Sequence, residues 1–261
     1  MRNYGFNLFR LNISLSNSLI LFCFMFIFTV NANINSNDDI DSIKEKIDLA
    51  ILKFEQTDRK NWSYTVNRFE NEEGDITSSI EQYSPHSDEP WLLKKINGKL
   101  PTQKEIKTFA KKKNMQIKTA NQKSKQESDI KISLRELINL DSLTLVSVDE
   151  QKVTLAFNVN WKKLGKDSIG KLQGHLTYQK EQQFIDNITI WNNTNFSPMF
   201  TANITDLIVT FSFIQINNAV LAKSNEMKMK GSFAYFTEIN ETSLDSYSDY
   251  IYQGSQSNIV N

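Results

Sequence analysis

The sequence predicts an α+β fold, in which a strongly curved antiparallel sheet forms an incomplete β-barrel covered by an N-terminal helix and one or two short helices. Three observations support this prediction. Apolar residues recur at helical spacing between Ile40 and Phe54, alternation with a period of two begins at Trp62, and from Leu143 onward strand patterns follow one another with little helix between them. Consecutive antiparallel strands favour one sheet that partly or fully closes around an apolar interior.

The first 32 residues have the features of a secretory signal peptide. Arg2 and Arg10 precede an apolar run from Leu19 to Val30, and Ala32 ends a small-residue cleavage pattern. Because this run is shorter than the roughly 20 residues that span a hydrocarbon core, we expect cleavage near Ala32 and a periplasmic mature chain. The alternatives are an uncleaved N-terminal anchor and a lipid-modified Cys23, although bulky residues precede that cysteine.

Residues 33 to 261 are predicted to form one domain, because this length supports a single sizeable core. Without the two arginines of the signal peptide, 28 basic residues stand against 30 acidic ones, a net charge of about −2. A net charge this close to zero does not indicate the basic surface that nucleic-acid binding requires. The single cysteine leaves with the signal peptide, so the domain has no disulfide and depends on apolar burial.

The helices are predicted from apolar spacing and from capping residues. The first helix covers Ile40 to Phe54, and Asp38 and Asp39 provide caps and favourable charge at its N-terminus. Two shorter helices begin at capping boxes, formed by Thr102 with Glu105 and by Ser133 with Glu136.

Residues 111 to 128 are predicted to form a mobile lysine-rich loop. Six lysines and no acidic residue occur from Lys111 to Lys125, with few large apolar residues to hold the segment in place. The alternative is a contact with phosphate or with an anionic lipid head group, because clustered lysines attract such surfaces.

The strands differ in how many of their faces are apolar. The residues from Trp62 to Val66 and from Val153 to Trp161 alternate, which is typical of strands with one buried face. Ile204 to Ile216 is apolar on both faces, which predicts cover by helices on one face and by protein or ligand on the other. We expect a bulge or bend at Gly231 in the following strand.

The order of elements resembles the lipoprotein-carrier superfamily of the Gram-negative periplasm. The similarity rests on the exported N-terminal helix, the strand at Trp62, the block from Pro90 to Thr102, and the segments Met227 to Phe236 and Tyr247 to Tyr250. It implies an incomplete antiparallel barrel over a few helices, with acyl chains held between them. It assigns no residue of this chain to a contact with lipoprotein or with a delivery partner, and the chain departs from it by extra length around Lys94 to Asp129.

A ligand cavity is predicted on the inner side of the barrel. Its lining is expected to come from large side chains of the later strands: Phe157, Trp161, Leu207, Val209, Phe211, Phe213, Phe233 and Tyr235. The alternative is that these residues pack against the helix from Ile40 to Phe54.

No catalytic constellation is predicted, and neither a metal nor a cofactor. His86 and His175 are the two histidines, which excludes a multi-histidine metal site, and the mature chain has no cysteine nucleophile. Six carboxylates could come together in the fold, namely Glu72, Glu73, Asp75, Glu238, Glu241 and Asp245. The alternative is that they lie in turns, because Asn and Gly residues are close to them in the sequence.

We therefore expect a non-enzymatic periplasmic protein that binds a hydrophobic ligand, such as an acyl chain or a lipidated protein, in a half-barrel cavity. The alternative is an envelope protein–protein interaction module without a small ligand. The prediction includes peripheral contact with a membrane, a monomeric state and no nucleic-acid partner.

Overall fold

The computed structural model describes residues 40–123, 133–234 and 237–254. The predicted signal peptide, the predicted cavity residue Tyr235 and residues 124–128 of the predicted loop lie outside these ranges. Among the helices of the described ranges, none has the length and apolar character needed to cross a membrane.

A ten-stranded antiparallel sheet organises the fold. The strands are β1 (Trp62–Glu72), β2 (Asp75–Tyr83), β3 (Trp91–Ile96), β4 (Thr144–Val148), β5 (Lys152–Asn158), β6 (Leu172–Gln179), β7 (Phe184–Asn192), β8 (Ala202–Ile216), β9 (Ala219–Phe233) and β10 (Thr237–Tyr252). The helices are α1 (Ile40–Gln56), α2 (Gln103–Lys123) and α3 (Leu134–Leu137). The spatial order is β3-β2-β1-β10-β9-β8-β7-β6-β5-β4, so the sheet does not close and ends at β3 and β4. The predicted α+β class with an open, curved antiparallel sheet is confirmed.

The antiparallel order places several connections at one end of the sheet, which we call the upper end. The β1–β2 turn and the β5–β6, β7–β8 and β9–β10 connections all lie there, because each joins a strand running toward that end to one running away. Since β3 also ends there, α2 begins at the upper end.

Helix α1 covers the apolar half of the inner face of the sheet. Its apolar side chains fall on one side, and Ile43, Ile47, Ala50 and Ile51 are buried among inward residues of β5 to β9. Lys53, near the C-terminus of α1, donates from Nζ to Gln215 Oε1 of β8 at 3.0 Å. The helix and the apolar strands therefore form one core.

Helix α2 corrects the prediction for the lysine-rich segment. The predicted capping box forms, with Glu105 N donating to Thr102 Oγ1 at 3.3 Å and Thr102 N donating to Glu105 Oε2 at 2.7 Å. The helix then continues to Lys123, so the predicted loop is wrong for residues 111–123. Lysine is a good helix former, and Lys113 is neutralised by an ion pair with Glu81, so the lysine run does not end the helix.

Strand β8 buries one of its two apolar faces. Leu207, Val209 and Phe213 are buried in the core, whereas Ile208 and Ile214 on the opposite face are each more than a third exposed. The expected irregularity near Gly231 lies on β8, where the register shifts between Ile204 and Asp206 opposite that glycine. A Cβ at residue 231 would collide with the backbone of β8, which explains the need for glycine.

Packing of α1 leads to a stability prediction. Ile47 is 0% exposed, and Ile47→Ala should lower the free energy of unfolding by about 2–4 kcal/mol, because it removes buried methyl groups and leaves a cavity. Leu49→Ala on the same helix is the control, since Leu49 is more than half exposed and its loss should change stability by less than about 0.5 kcal/mol. Urea denaturation followed by circular dichroism measures both, and equal effects would contradict the proposed packing.

Candidate functional site

The structure places four of the predicted cavity residues in the packed core. Phe157, Leu207, Val209 and Phe213 are buried, and the Phe213 ring lies 4.9 Å, centroid to centroid, from the ring of Phe54 in α1. Phe213 therefore packs against α1, as the alternative interpretation describes, and the other three residues lie in the same core.

Three other predicted cavity residues lie at the margin of the core. Trp161 and Phe211 are partly buried against it, with ring centroids 6.3 Å apart, and Phe233 is more than a third exposed at the end of β9. None of these seven residues lines the three cavities described below.

The other half of the inner face carries a cluster of charged side chains. Arg68 of β1 lies opposite Asp245 of β10, and Val66, two residues before Arg68, lies opposite Glu81 of β2. Because side chains two positions apart share a face, all three charged groups point to the inner side. Lys113 of α2 approaches the same point, and we call these four residues the charged cluster.

Ion pairs connect the members of the charged cluster. Arg68 Nε lies 3.2 Å from Glu81 Oε1, and Lys113 Nζ lies 2.7 Å from Glu81 Oε2. Arg68 Nη1 also contacts Asp245 Oδ2, and Ser79 Oγ donates to Glu81 Oε1 at 3.1 Å. Glu81 thus bridges a cation on the sheet and a cation on the helix.

The electrostatics of the charged cluster favour its ionised form. Burial alone would lower the pKa of Arg68, but Asp245 and Glu81 together raise it. Burial would raise the pKa of Glu81, but Arg68 and Lys113 hold it below its usual value. Burial lowers the pKa of Lys113, and Glu81 partly offsets this effect. Buried ion pairs add little net stability, so their position beside a cavity marks a candidate binding site.

Aromatic rings stand beside the charged cluster on the same face. The Tyr64 ring lies 5.2 Å from Tyr83, 6.0 Å from Trp91, 5.7 Å from Tyr247 and 5.6 Å from Tyr250, measured between centroids. We call these five residues the aromatic wall. Lys113 Nζ sits 4.0 Å from the centre of the Trp91 ring, a cation–π contact that joins α2 to the wall. Burial, followed by the charge of Asp245, raises the pKa of Tyr247 to about 12.

A cavity of about 530 Å³ separates the first part of α2 from strands β1 to β3. Leu93, Ile96 and Phe109 give it an apolar wall, and Arg68 and Glu81 bring the charged cluster into its lining. The remaining lining is polar or charged and comes from Glu70, Thr77, Ser78, Ser79, Asn97, Thr102, Lys104, Glu105, Thr108 and Lys112. Its volume falls in the range of ligand sites, and we call it the α2 cavity.

Two further recesses flank α1. One, of about 470 Å³, lies between the C-terminal end of α1 and the β8–β9 turn, and the other, of about 360 Å³, lies between α1 and strands β5 and β6. Both lack the buried ion pairs that distinguish the α2 cavity.

Carboxylates gather at the upper end of β1 and β10. Glu72 lies opposite Glu241 in one ladder and opposite Asp75 in the other. Glu241 is 6% exposed, and its burial, together with the charges of Glu73, Glu72 and Glu70, raises its pKa to about 8.

The remaining carboxylate and histidine candidates lie at separate places in the fold. Of the six carboxylates considered, Asp245 belongs to the charged cluster, and Glu238 is exposed at the start of β10. His175 packs edge-on against Trp191, with ring centres 4.8 Å apart. Within the described ranges, no group of three or more His, Cys, Asp and Glu side chains could hold a metal ion.

Sequence reasoning missed the charged cluster, although one signal was available. Arg68 continues the alternation of Trp62, Tyr64 and Val66, so a charge occupies a position predicted to face inward. The other members of the cluster lie on β2, β10 and α2. Their placement beside Arg68 depends on the strand register and on the length of α2, which one sequence does not specify.

Comparison with known proteins gives one distant structural similarity. A solved structure of a DUF1329 family protein from Desulfovibrio piger aligns with 82% of this chain and 95% of its own, at 11% identity and a TM-score of 0.33. No protein-family model and no curated protein matches the sequence. A similarity at this level assigns no family, so the resemblance to the lipoprotein-carrier superfamily stays a prediction.

The raised pKa of Glu241 predicts a pH-dependent stability. A carboxyl whose pKa is raised by folding binds its proton more tightly in the folded state. The free energy of unfolding therefore falls as the pH rises from 4.5, the ordinary pKa of a glutamate, to about 8, the pKa of Glu241 in the folded protein. Glu241→Gln mimics the protonated form and should be as stable as wild type near pH 5, but more stable by about 2 kcal/mol near pH 8.5.

Urea denaturation at a series of pH values measures this difference. Glu238→Gln, an exposed carboxylate on the same strand, is the control and should follow the wild-type profile. If the Glu241→Gln profile ran parallel to wild type across the whole range, the raised pKa would be disproved.

Proposed function

We propose that this protein is a non-enzymatic binding protein for an amphiphilic ligand, and that the α2 cavity is the binding site. The observation that carries the proposal is the presence, in one cavity, of buried ion pairs and of an apolar wall. The proposal replaces the predicted hydrophobic ligand by an amphiphile, and it places the site away from the predicted half-barrel interior, where α1 packs on the strands.

The chemistry of the cavity suggests a ligand with a zwitterionic head group and one short apolar chain. Arg68 and Glu81 offer both signs of charge, and Thr and Ser hydroxyl groups on α2 and β2 offer hydrogen bonds. Leu93, Ile96 and Phe109 provide an apolar surface for the chain. A volume of about 530 Å³ favours a single-chain amphiphile over a lipid with several chains.

Helix α2 is suited to act as the cover of the site. It packs on β3, an edge strand, whereas α1 packs on the central strands β7 and β9. The Lys113–Glu81 ion pair and the Lys113–Trp91 contact join α2 to the sheet. Because α2 packs on an edge strand and α1 packs in the core, displacing α2 would expose less apolar surface, and we expect a ligand to enter by that route.

A second candidate function is an envelope interaction module that holds no small ligand. Packing of α1 on the apolar half of the sheet favours it, because that half then needs no ligand to fill it. Crosslinking in cells should then recover one protein partner in stoichiometric amount, and purified protein should carry no extractable amphiphile.

The proposed compartment is the periplasm, and processing tests it. The mature protein recovered from a periplasmic fraction should begin at Asn33 in N-terminal sequencing and should have the matching intact mass. A species that retains residues 1–32 in the membrane fraction would instead support an uncleaved anchor.

The ligand proposal predicts thermal stabilisation by a single-chain zwitterionic amphiphile. Dodecylphosphocholine below its micelle concentration, at about ten times its dissociation constant, should stabilise the protein by about 1.4 kcal/mol and raise Tm by about 3–5 °C. Thr108→Trp should abolish the shift, because Thr108 lines the α2 cavity and the indole would occupy it.

Lys107→Trp is the matched control, since Lys107 is exposed on the same helix and does not line the cavity. It should keep the wild-type shift. An equal shift in Thr108→Trp, or no shift in wild type together with no lipid in an extract of natively purified protein, would disprove binding in this cavity.

A further inference from the structure

Two connections at the upper end of the sheet form one rigid tip. The β5–β6 connection (159–171) and the β7–β8 connection (193–201) touch through three contacts. Ser197 N donates to Asp167 Oδ2 at 2.7 Å, and Asn193 N donates to the Lys171 carbonyl at 3.0 Å. Gly165 lies so close to Pro198 that a Cβ on the glycine would be 2.7 Å from the proline carbonyl oxygen. The β9–β10 connection joins them, because Ala234 N donates to the Thr201 carbonyl at 2.7 Å.

Large apolar side chains project from this tip into solvent. Phe200 is 90% exposed, and Ile169, Met199 and Phe233 are each exposed by more than a third. We call these four residues the apolar tip. Single exposed apolar residues are common on proteins, but four on connections held together by hydrogen bonds form a patch that favours an apolar environment.

Several backbone groups of the tip form hydrogen bonds within the protein, which suits them to surroundings of low dielectric constant. Phe196, four residues before Phe200, is buried and exchanges two backbone hydrogen bonds with Ile204. Ala202 N donates to the Met199 carbonyl at 3.1 Å, and Thr201 accepts from Ala234 as described. Polar backbone groups satisfied within the protein can approach a lipid interface without losing hydrogen bonds to water.

Positive charge lies on one side of the apolar tip, on the β5–β6 connection, whereas the exposed Glu238 lies at the start of β10. Residues 161–171 contain four lysines and one aspartate, a net charge of +3, and residues 193–201 contain no charged residue. Lys171 pairs with Asp167 at 2.9 Å, while Lys162 and Lys166 are exposed and make no ion pair with any described residue. Lysines beside exposed aromatic and aliphatic side chains are typical of protein surfaces that bind anionic membranes.

We propose that the apolar tip inserts into the head-group region of an anionic phospholipid bilayer, with Lys162 and Lys166 contacting lipid phosphates. The excess of lysines on the β5–β6 connection complements the negative charge of an anionic membrane surface, which is why we propose a bilayer as the partner of the tip. The carboxylates of β1 and β10 share the upper end, where β1 is three strands and β10 two strands away from β8. They repel anionic lipid, so the protein docks through the lysine-bearing connections and tilts its acidic side away.

Sedimentation of the purified protein with vesicles tests the proposal. Vesicles of phosphatidylcholine and phosphatidylglycerol at 3:1 should bind it, and pure phosphatidylcholine vesicles should bind at least three-fold less. Raising the salt from 0.1 M to 0.5 M should weaken the binding, because the lysine contribution is screened. Phe200→Ser should lower the partition coefficient at least ten-fold, and the double variant Lys162→Gln/Lys166→Gln should lower it at least three-fold.

Two further variants keep the test decisive. Ile251→Ser, which removes a 62% exposed apolar side chain at the opposite end of β10, should bind like wild type. Phe200→Trp should bind at least as tightly as wild type, because indole favours the interface. All variants should keep the wild-type circular dichroism spectrum, since the replaced side chains are exposed.

Three results would overturn the proposal. The first is failure of the wild-type protein to bind the anionic vesicles. The second is equal binding by Phe200→Ser and wild type. The third is a dimer in sedimentation equilibrium that Phe200→Ser dissociates, because the tip would then be a contact between two copies of this chain.

Discussion

The fold depends on burial of the apolar stripe of α1 against strands β5 to β9. Neither surface is stable in water alone, since the stripe presents Ile43, Ile47 and Ile51 and the strands present an equally apolar inner face. Their contact fixes the helix over the centre of the sheet and fills the concave side there. A sheet of this length without closure would otherwise leave a large apolar surface exposed. The same contact buries several of the predicted cavity residues of that half, so the binding site that we propose lies at the α2 cavity.

The second half of the inner face is covered in a different way. Helix α2 contacts the sheet through Lys113, which pairs with Glu81 and lies over the Trp91 ring, and its Phe109 lines the α2 cavity. Charged side chains in an ion pair can still bind a polar head group after burial. Apolar side chains that pack against each other offer no such group to a ligand. We therefore propose that α1 provides stability and that α2 covers the binding site.

The sequence predicted those features that depend on local periodicity. The helix beginning at Ile40, the strand beginning at Trp62 and the capping box at Thr102 follow from residue spacing, and all three form as predicted. Periodicity also identified Leu207 and Val209 as inward-facing, but it does not say whether protein or ligand covers an inward face. The partners of Arg68 depend on the register of β1 with β2 and β10, and Asp245 is 177 residues distant in sequence. Lys113 could be placed beside Glu81 only if α2 were known to continue past Ala110.

The α2 cavity and the apolar tip share the upper end of the sheet, which connects the two proposals without making either depend on the other. Asn97 and Thr102, both in the cavity lining, lie where β3 ends and α2 begins, and Phe200 lies between β7 and β8 at the same end. Neighbouring strands are about 4.8 Å apart, so the five strand spacings from β3 to β8 correspond to roughly 24 Å along the sheet. A protein docked through the tip would hold the mouth of the cavity within about that distance of the lipid surface. An amphiphile leaving the bilayer would then cross little water before its head group met Arg68 and Glu81. In the docked state that we propose, repulsion between anionic lipid and the carboxylates near Glu241 would keep the cavity beside the membrane and not embedded in it, which would leave α2 free to move.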